Sequence, residues 1–379
     1  MTVPAGSEAT LFVQNDTRGD VLTCREGLSF WGGVDPDTGT IIDTHHPDHG
    51  ARLAGRIVLM PTSRGSCSGS GVLLQLARNG KAPAALVFRE AEDILTLGAI
   101  ISARLFDRPI AVLRLPADTY EALSRAAEVE IKGNTLLFAE RQVELSRPQT
   151  RGLRLSETDR DRLAGRDGPA CQIAMEVLCL MAAVQGARDL IDVSRAHIDG
   201  CILAHDANLD FAEKMDALGA KTVIPTTINA ISVDRENWQN QGVVPVFGSK
   251  ASRLADAYVN MGAHPTFTCA PYLLPDAPEE DEAIGWAESN AVVFANSVLG
   301  ARTAKHPDFL DLCIAVTGRA PLSGVYLEEA RRPSVILDFD LPEAPGDGFW
   351  PLAGYLAGRH APDAIPLLRG LAASGPDPD

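Results

Sequence analysis

Short apolar runs separated by turns fill the first 150 residues of the chain. Runs of four to six residues rich in β-branched side chains are typical of buried strands. We predict such strands at 9–13, 40–43, 56–60, 84–88, 110–113 and 135–138. With a few helices between them, these strands predict a small, β-rich α/β domain over residues 1–150.

A polar linker with Pro148 and Gly152 interrupts this pattern at residues 146–152, and acidic residues at 156–159 then predict the start of a helix. Longer helical patterns alternate with single strands beyond it. We predict helices at 170–185, 209–218 and 252–261, and strands at 190–193 and 221–224. This alternation indicates a larger α/β domain with a mainly parallel sheet, which we place at residues 151–379.

The most distinctive polar segment is the Ser- and Gly-rich loop at residues 61–71, between the strand at 56–60 and an apolar helical run. Its glycines allow backbone amides to converge, and the following helix N-terminus and Arg64 add positive charge. The loop therefore suits an anionic ligand or a serine oxyanion. A flexible turn without a ligand fits the composition equally well.

Composition narrows the function classes. The 379 residues carry 34 basic and 50 acidic side chains, a net charge of -16, which argues against nucleic-acid and anionic-membrane partners and favours a small molecule. The N-terminus shows no secretory pattern, and the longest apolar stretch, 173–184, is too short to span a bilayer. Seven cysteines without a C-x-x-C pair indicate a reducing, cytoplasmic location.

Four polar segments follow predicted strands in the second half, where open α/β sheets bind their ligands. These segments are 194–197, 225–229, 266–272 and 286–303. Cys171, Cys179, Cys201 and Cys313 fit core packing, and Cys67 fits a loop position. The histidines at 45, 46 and 49 favour a polar loop over a metal site.

Taken in order, these motifs resemble the aconitase X family. The Gly65–Ser70 segment, with His46 and Gly50 before it, resembles the small swivelling domain of that family. Six motifs in the second half of the chain resemble the large domain of that family. They lie at 194–200, 225–229, 268–272, 286–292, 295–303 and 317–319. The resemblance spans residues 9 to 370 and implies an aconitase-like fold.

A small domain fused ahead of the large one resembles the single-chain bacterial type, which implies dehydration of cis-3-hydroxy-L-proline and no separate small subunit. The archaeal type, with its domains on two chains, is similar to a mevalonate 5-phosphate dehydratase. A cluster-free binding fragment and an isomerase of the aconitase kind remain alternatives.

The resemblance also implies roles for individual residues. Ser66 is the expected base and Ser70 the reserve, with Arg64 and the loop amides stabilising the alkoxide. An iron-sulfur cluster on Cys269 is expected as the Lewis acid. The candidate substrate-binding residues are Arg64, Gly65, His46, His197, Thr226, Thr227, Asn229, Glu288, Asn296 and Arg302.

One departure concerns the C-terminus. Members of the family continue past the point where this sequence ends, at residues 372–379, and further cluster cysteines are expected in that part. The ending therefore predicts a truncated large domain, with the remaining cluster ligands outside this chain.

Overall fold

The computed structural model describes residues 8–148, 150–342, 345–362 and 364–371. The chain divides into two compact units, residues 1–323 and residues 324–379, and each is described by itself. The ending at 372–379, on which the expectation of truncation depends, lies outside the described residues. The division at residue 150 into a small and a large domain stays a prediction.

An eight-stranded mixed sheet organises the first 150 residues, in the order β1-β7-β6-β5-β2-β8-β9-β10. The strands of this region are β1 (Thr10–Val13), β2 (Thr17–Thr23), β3 (Val34–Asp35), β4 (Thr40–Ile41), β5 (Ile57–Met60), β6 (Ala85–Phe88), β7 (Ala111–Arg114), β8 (Glu128–Lys132), β9 (Thr135–Phe138) and β10 (Arg141–Glu144). Strands β7, β6, β5 and β2 pair in parallel, and the other pairs are antiparallel.

The central strands β5 and β6 are buried along their whole length, which explains why their sequences are continuous apolar runs. One face packs a core of aliphatic side chains, Tyr120 and Phe138. The helices of this region are α1 (Gly69–Arg78), α2 (Ile94–Phe106) and α3 (Ala117–Leu123). Because β5 leads directly through the loop into α1, the predicted strand-to-helix turn is confirmed.

The region from residue 152 to residue 321 alternates helices and short strands. Its helices are α4 (Glu157–Leu163), α5 (Pro169–Val184), α6 (Asp206–Ala217), α7 (Pro245–Asn260), α8 (Ser289–Phe294) and α9 (Leu310–Thr317). Its strands are β11 (Leu190–Asp192), β12 (Ala196–Ile198), β13 (Thr226–Ile228), β14 (Gly285–Trp286) and β15 (Arg319–Pro321). Strand β12 pairs in parallel with β13 and with β14, whereas β11 and β15 pair antiparallel. The predicted α/β class is confirmed.

Two details of the prediction are wrong. Residues 221–224 form no strand, and the strand begins at Thr226 instead, because residues 226–228 are the ones that pair with β12 in the parallel sheet. Helix α7 begins at Pro245, seven residues before the predicted start, since a proline at the first helical position needs no amide partner. The helix start at Ser156 is confirmed by a capping box with Asp159.

The second unit contains β16 (Val335–Asp338), α10 (Phe349–His360) and β17 (Pro366–Arg369). Strands β16 and β17 pair in parallel, and an ion pair joins Asp338 to Arg369 across them. None of the helices in the described part of the chain combines the length and the apolar character that crossing a membrane requires.

Candidate functional site

The loop between β5 and α1 has a defined conformation. Gly65 has a φ of 93°, and a Cβ atom there would meet the Ser29 hydroxyl at 2.3 Å, so the position requires glycine. Ser63 donates a hydrogen bond to the buried Glu92 carboxylate at 2.6 Å. The amides of Gly69 and Gly71 donate to the loop carbonyls of Ser66 and Ser68. The loop is therefore fixed both by bonds within it and by a bond to Glu92 outside it.

The two candidate bases differ in their surroundings. The partly buried Ser66 hydroxyl accepts a hydrogen bond from the Ser68 amide at 3.3 Å and lies 3.9 Å from the Cys67 thiol. The Ser70 hydroxyl is fully buried and lies near two backbone carbonyls, those of Cys67 at 3.0 Å and Asp308 at 3.2 Å. Ser70 therefore joins the loop to the segment before α9, whereas Ser66 stays close to solvent.

Residues 305–308 hold the same loop from the other side. Lys305 donates to the carbonyl oxygen of Gly65 at 3.2 Å, and the Asp308 amide donates to that of Cys67 at 3.4 Å. The next residue, Phe309, has a φ of 83°, a conformation that bulky residues rarely adopt. The backbone turns sharply there, which places Asp308 against the loop and starts α9.

The side chains of Cys67, Asp199 and Asp308 meet at this contact. One potential ligand atom from each lies within 4.8 Å of the other two, and all three residues are buried. The Cys67 thiol donates to an Asp199 carboxylate oxygen at 3.2 Å. Asp199 directly follows β12, so the end of a parallel strand supplies this carboxylate.

Burial changes the acidity of this cluster. Desolvation raises the pKa of Asp308 to about 8, and the neighbouring Asp199 and Asp311 carboxylates add to the effect. Desolvation also raises the pKa of Asp311 to about 6, although backbone amides that bond to its carboxylate, including those of Asp199 and Leu312, limit the rise. The pKa of the Cys67 thiol is raised by burial and by the nearby Asp308 and Asp199 carboxylates.

Asn229 and Glu288 extend the cluster toward solvent. The Asn229 amide donates to Glu288 at 2.7 Å and also to Asp199, so one side chain joins the ends of β12, β13 and β14. Burial raises the pKa of the half-buried Glu288 carboxyl, and the nearby Asp199 raises it further. The structure thus brings two predicted residues beside the loop.

Beneath these residues lies His197, which is fully buried. Its Nδ1 atom is 2.8 Å from the Thr227 hydroxyl, and its ring meets the Trp286 ring edge to face. Desolvation lowers the pKa of His197 to about 3, so the imidazole is neutral. The buried Thr226 hydroxyl donates to the carbonyl of Ile224.

Other predicted residues lie elsewhere. The Arg64 guanidinium pairs with Glu26 at 3.3 Å and Asp43 at 3.6 Å. The Asn296 amide donates to the carbonyls of Val292 and Thr303, and Arg302 pairs with Asp281 at 2.6 Å. His46 is buried within its own loop, where its Nδ1 atom accepts the Asp48 amide. Their proposed contacts with substrate stay predictions.

Cys269, the expected cluster ligand, is exposed. Among the described residues, the potential metal-ligating groups of three or more side chains do not include it. Iron-sulfur clusters are held by several thiolates. The described donors around Cys269 therefore do not by themselves fit a cluster, whereas the Cys67, Asp199 and Asp308 side chains do form a possible metal site.

Sequence reasoning did not single out Asp199, Asp308 or Asp311 and treated Cys67 as a loop residue. One signal was present, because Asp311 interrupts the apolar run from Phe309 to Val316 and an acidic residue in such a run is rarely buried without a role. The core positions predicted for Cys171, Cys179, Cys201 and Cys313 are confirmed, since all four are buried.

A cavity of about 910 Å³ opens beside the end of β13. It is lined by residues 230–236 together with Gln241, Val243, Pro265 and Phe267. The lining starts at the residue after Asn229, so the cavity adjoins the polar cluster.

Comparison with known proteins gives two family matches. Residues 7–138 match the aconitase X swivel domain and residues 152–329 match the aconitase X first domain. Both matches lie in one chain. The chain is also similar to a solved structure of aconitase X from Thermococcus kodakaraensis in its holo form, at 30% identity and a TM-score of 0.51 over 57% of this chain and 54% of the other.

Similar proteins with assigned names include two cis-3-hydroxy-L-proline dehydratases. The one from Hypocrea jecorina is 46% identical over 98% of this chain, and the one from Pseudomonas aeruginosa is 47% identical over 97%. The chain spans 65% and 64% of the lengths of these relatives.

A third relative matches a shorter part of this chain. It is the phosphomevalonate dehydratase small subunit of Methanothermobacter thermautotrophicus, which is 44% identical over 117 residues, 89% of its own length and 30% of this chain. Two domain matches in the expected order, together with these identities, establish the family. The chain belongs to the aconitase X family.

Proposed function

We propose that this protein is a hydro-lyase that removes water from cis-3-hydroxy-L-proline to give Δ1-pyrroline-2-carboxylate. The observation that carries this proposal is the 46% and 47% identity, over nearly the whole chain, to two proteins named for that reaction. The proposal is also supported by the polar cluster where the loop at residues 61–71, called the swivel loop below, meets the ends of parallel strands.

The reaction requires two proton transfers. A base removes the proton from the carbon that bears the carboxylate, and the hydroxyl on the next carbon leaves as water after it receives a proton. The carbon-carbon double bond that forms is an enamine, which moves one proton from nitrogen to carbon to give the cyclic imine. The site must therefore hold one deprotonated base and one protonated acid.

In this proposal Ser66 is the base, because its hydroxyl is the more accessible of the two candidate serines. Glu288 is the acid for the leaving hydroxyl, because burial and Asp199 raise the pKa of its carboxyl and favour the protonated form. Asn229 positions Glu288 by donating a hydrogen bond to its carboxylate, and His197 orients the Thr227 hydroxyl through its Nδ1 atom. Arg302 remains the candidate for the substrate carboxylate.

An iron-sulfur cluster with Cys269 as one ligand is part of the proposal, and it would supply Lewis-acid chemistry when bound. The other thiolates would come from outside the described residues. We further propose a cytoplasmic enzyme that uses a small-molecule substrate, no nucleic acid, no membrane and no separate small subunit, because both family domains lie in this chain.

A second candidate function is dehydration of mevalonate 5-phosphate. It is favoured by the 44% identity of 117 residues of this chain to the small subunit of a phosphomevalonate dehydratase. The fused arrangement of the two domains favours the proline substrate.

The test uses the purified chain after anaerobic reconstitution with iron and sulfide. We expect proton NMR to show loss of cis-3-hydroxy-L-proline and, in D₂O, exchange of its C2 proton. Ser66→Ala should lower both rates about 10²- to 10⁴-fold, the usual contribution of a positioned base. Ser124→Ala, which removes a partly buried serine hydroxyl from the end of α3, is the matched control and should leave both rates unchanged.

The outcomes separate the alternatives. Consumption of mevalonate 5-phosphate in place of the proline would favour the second candidate function. Binding of cis-3-hydroxy-L-proline by a folded, iron-free chain, with no exchange and no turnover, would favour a non-catalytic fragment. Full activity of Ser66→Ala would remove Ser66 from the mechanism while leaving the substrate assignment in place.

A further inference from the structure

The buried contact between the swivel loop and the strand ends contains three groups with donor atoms that suit a metal. Cys67, Asp199 and Asp308 are 2%, 8% and 2% exposed, respectively. Cys67 belongs to the loop after β5, whereas the two aspartates belong to the ends of β12 and of the segment before α9. The three groups therefore come from separate parts of the chain and meet only in the folded protein.

No cationic side chain in the described ranges forms an ion pair with Asp199, Asp308 or the nearby Asp311. The one lysine that reaches this loop, Lys305, donates to the carbonyl oxygen of Gly65. Burying carboxylates without a compensating charge is costly. A bound cation would remove that cost.

An independent observation points to a ligand here. The Oδ1 atom of Asp308 is buried and lacks a hydrogen-bond partner among the described residues. A buried carboxylate oxygen normally accepts at least one hydrogen bond, and a bound ion is one of the recognised reasons for an exception. Asp308 belongs to the same group of potential ligands as Cys67 and Asp199.

We propose that Cys67, Asp199 and Asp308 bind one divalent cation of borderline hardness, such as Zn²⁺ or Fe²⁺, and that this ion fastens the swivel loop to the strand ends. The thiol and the protonated Asp308 carboxyl lose their protons to solvent as the metal binds, so one thiolate and two carboxylates face the cation. Cys269 is not a member of this group of three residues.

The donor set favours this class of ion. A thiolate selects against Mg²⁺ and Ca²⁺, which prefer oxygen ligands, whereas Zn²⁺ and Fe²⁺ accept sulfur and carboxylate together. Metal-ligand distances of about 2.0 to 2.3 Å place ligand atoms within about 4.5 Å of one another. The 3.2 Å from the Cys67 sulfur to the Asp199 oxygen, and the 4.8 Å limit for the whole group, agree with a single ion. Three protein ligands leave one position open.

The test measures Co²⁺ binding, because a thiolate ligand gives this ion a strong near-ultraviolet charge-transfer band. We expect one equivalent of Co²⁺ with such a band in the purified 379-residue chain. Cys67→Ser should abolish the band, and Asp308→Asn should weaken binding at least about tenfold. No substrate is present, so failure of the dehydratase proposal would not affect the result.

Two cysteine variants serve as controls. Cys171→Ala removes a buried thiol from α5 and should keep the band. Cys269→Ala should keep it as well. If Cys269→Ala abolishes the band while Cys67→Ser retains it, the metal is bound at Cys269 and the proposal is wrong.

A stability measurement guards against variants that misfold. With a chelator present, Asp308→Asn should melt at or above the temperature of the unmodified chain, because it removes a buried acid without a cation. With Co²⁺ present, only the unmodified chain should gain stability. Equal loss of thermal stability by Asp308→Asn in both conditions would show a purely structural role and overturn the proposal.

Discussion

At the scale of single residues, His197 shows how complete burial controls charge. Its ring contacts two neutral side chains, the hydroxyl of Thr227 and the indole of Trp286, and its pKa falls to about 3 from the usual 6.5 because charged imidazole would lose its solvation. The folded protein therefore binds fewer protons at this position than the unfolded chain between about pH 6.5 and pH 3. The contribution of His197 to the free energy of unfolding is therefore fully present above about pH 6.5 and is lost as the pH falls toward about 3.

We accordingly predict that His197→Gln reduces the acid sensitivity of folding. Between pH 7 and pH 5 the unmodified chain should lose about 2 kcal/mol more of its free energy of unfolding than the variant loses. Urea unfolding at both pH values measures the difference. His45→Gln, at an exposed imidazole, is the control and should behave like the unmodified chain. An identical pH dependence for His197→Gln would contradict the prediction.

At the scale of elements, close packing of α2 against α1 fixes the position of the C-terminal end of the swivel loop, where α1 begins. Gly98 of α2 faces Ser70 of α1 so closely that an added Cβ would lie 2.8 Å from the Ser70 carbonyl oxygen and 3.1 Å from its Cα atom. Both of these atoms are backbone, so they cannot move aside as a flexible side chain would. The small size of residue 98 therefore keeps α1, and the loop before it, in place.

Gly98→Ala should consequently lower the free energy of unfolding by about 1 to 3 kcal/mol through overpacking. Gly354→Ala lies in α10 with open space around its Cβ position, and it should leave stability unchanged or raise it by up to about 1 kcal/mol. Chemical denaturation of both variants distinguishes steric crowding from helix propensity. Equal stabilisation of both would mean that α1 and α2 can separate without cost.

At the scale of the whole molecule, hydrogen bonds and ion pairs connect the swivel region, which matches the family's swivel domain, to the region after residue 152. The Gln75 side chain accepts the Ala207 amide at 2.9 Å, and Gln185 donates to Asp93 at 2.8 Å. Arg78 forms exposed ion pairs with Asp206 and Asp210, which contribute little in water. These polar contacts add to the packing of α1 against α6 and of α2 against α5.

We predict that substrate changes the angle between the two regions about the linker near Arg151. Small-angle scattering of Ser66→Ala with saturating cis-3-hydroxy-L-proline should give a smaller radius of gyration than the same protein alone. Ser66→Ala is used because loss of the proposed base should prevent turnover during the measurement. Superimposable curves would count against a swivelling domain.

The local pattern of apolar and polar residues was sufficient to predict some elements of the fold. The apolar run at 56–60 predicts β5, and the glycines after it predict the strand-to-helix turn, because both depend on neighbours along the chain. The strand predicted at 221–224 was wrong, because pairing with β12 selects residues 226–228 and pairing is a long-range property. The roles of Ser66, Arg302 and the other predicted site residues remain to be tested.

The sequence by itself determined the α/β class and the buried positions of Cys171, Cys179 and Cys313, whereas the division near residue 150 stays a prediction. Only the tertiary structure placed Cys67 against Asp199, which is 132 positions away in the chain, and against Asp308. Hydrophobic periodicity reports which face of an element is buried, but it carries no information on which distant side chains share that burial. The meeting of a thiol and two carboxylates is therefore a product of packing between the swivel loop and the strand ends.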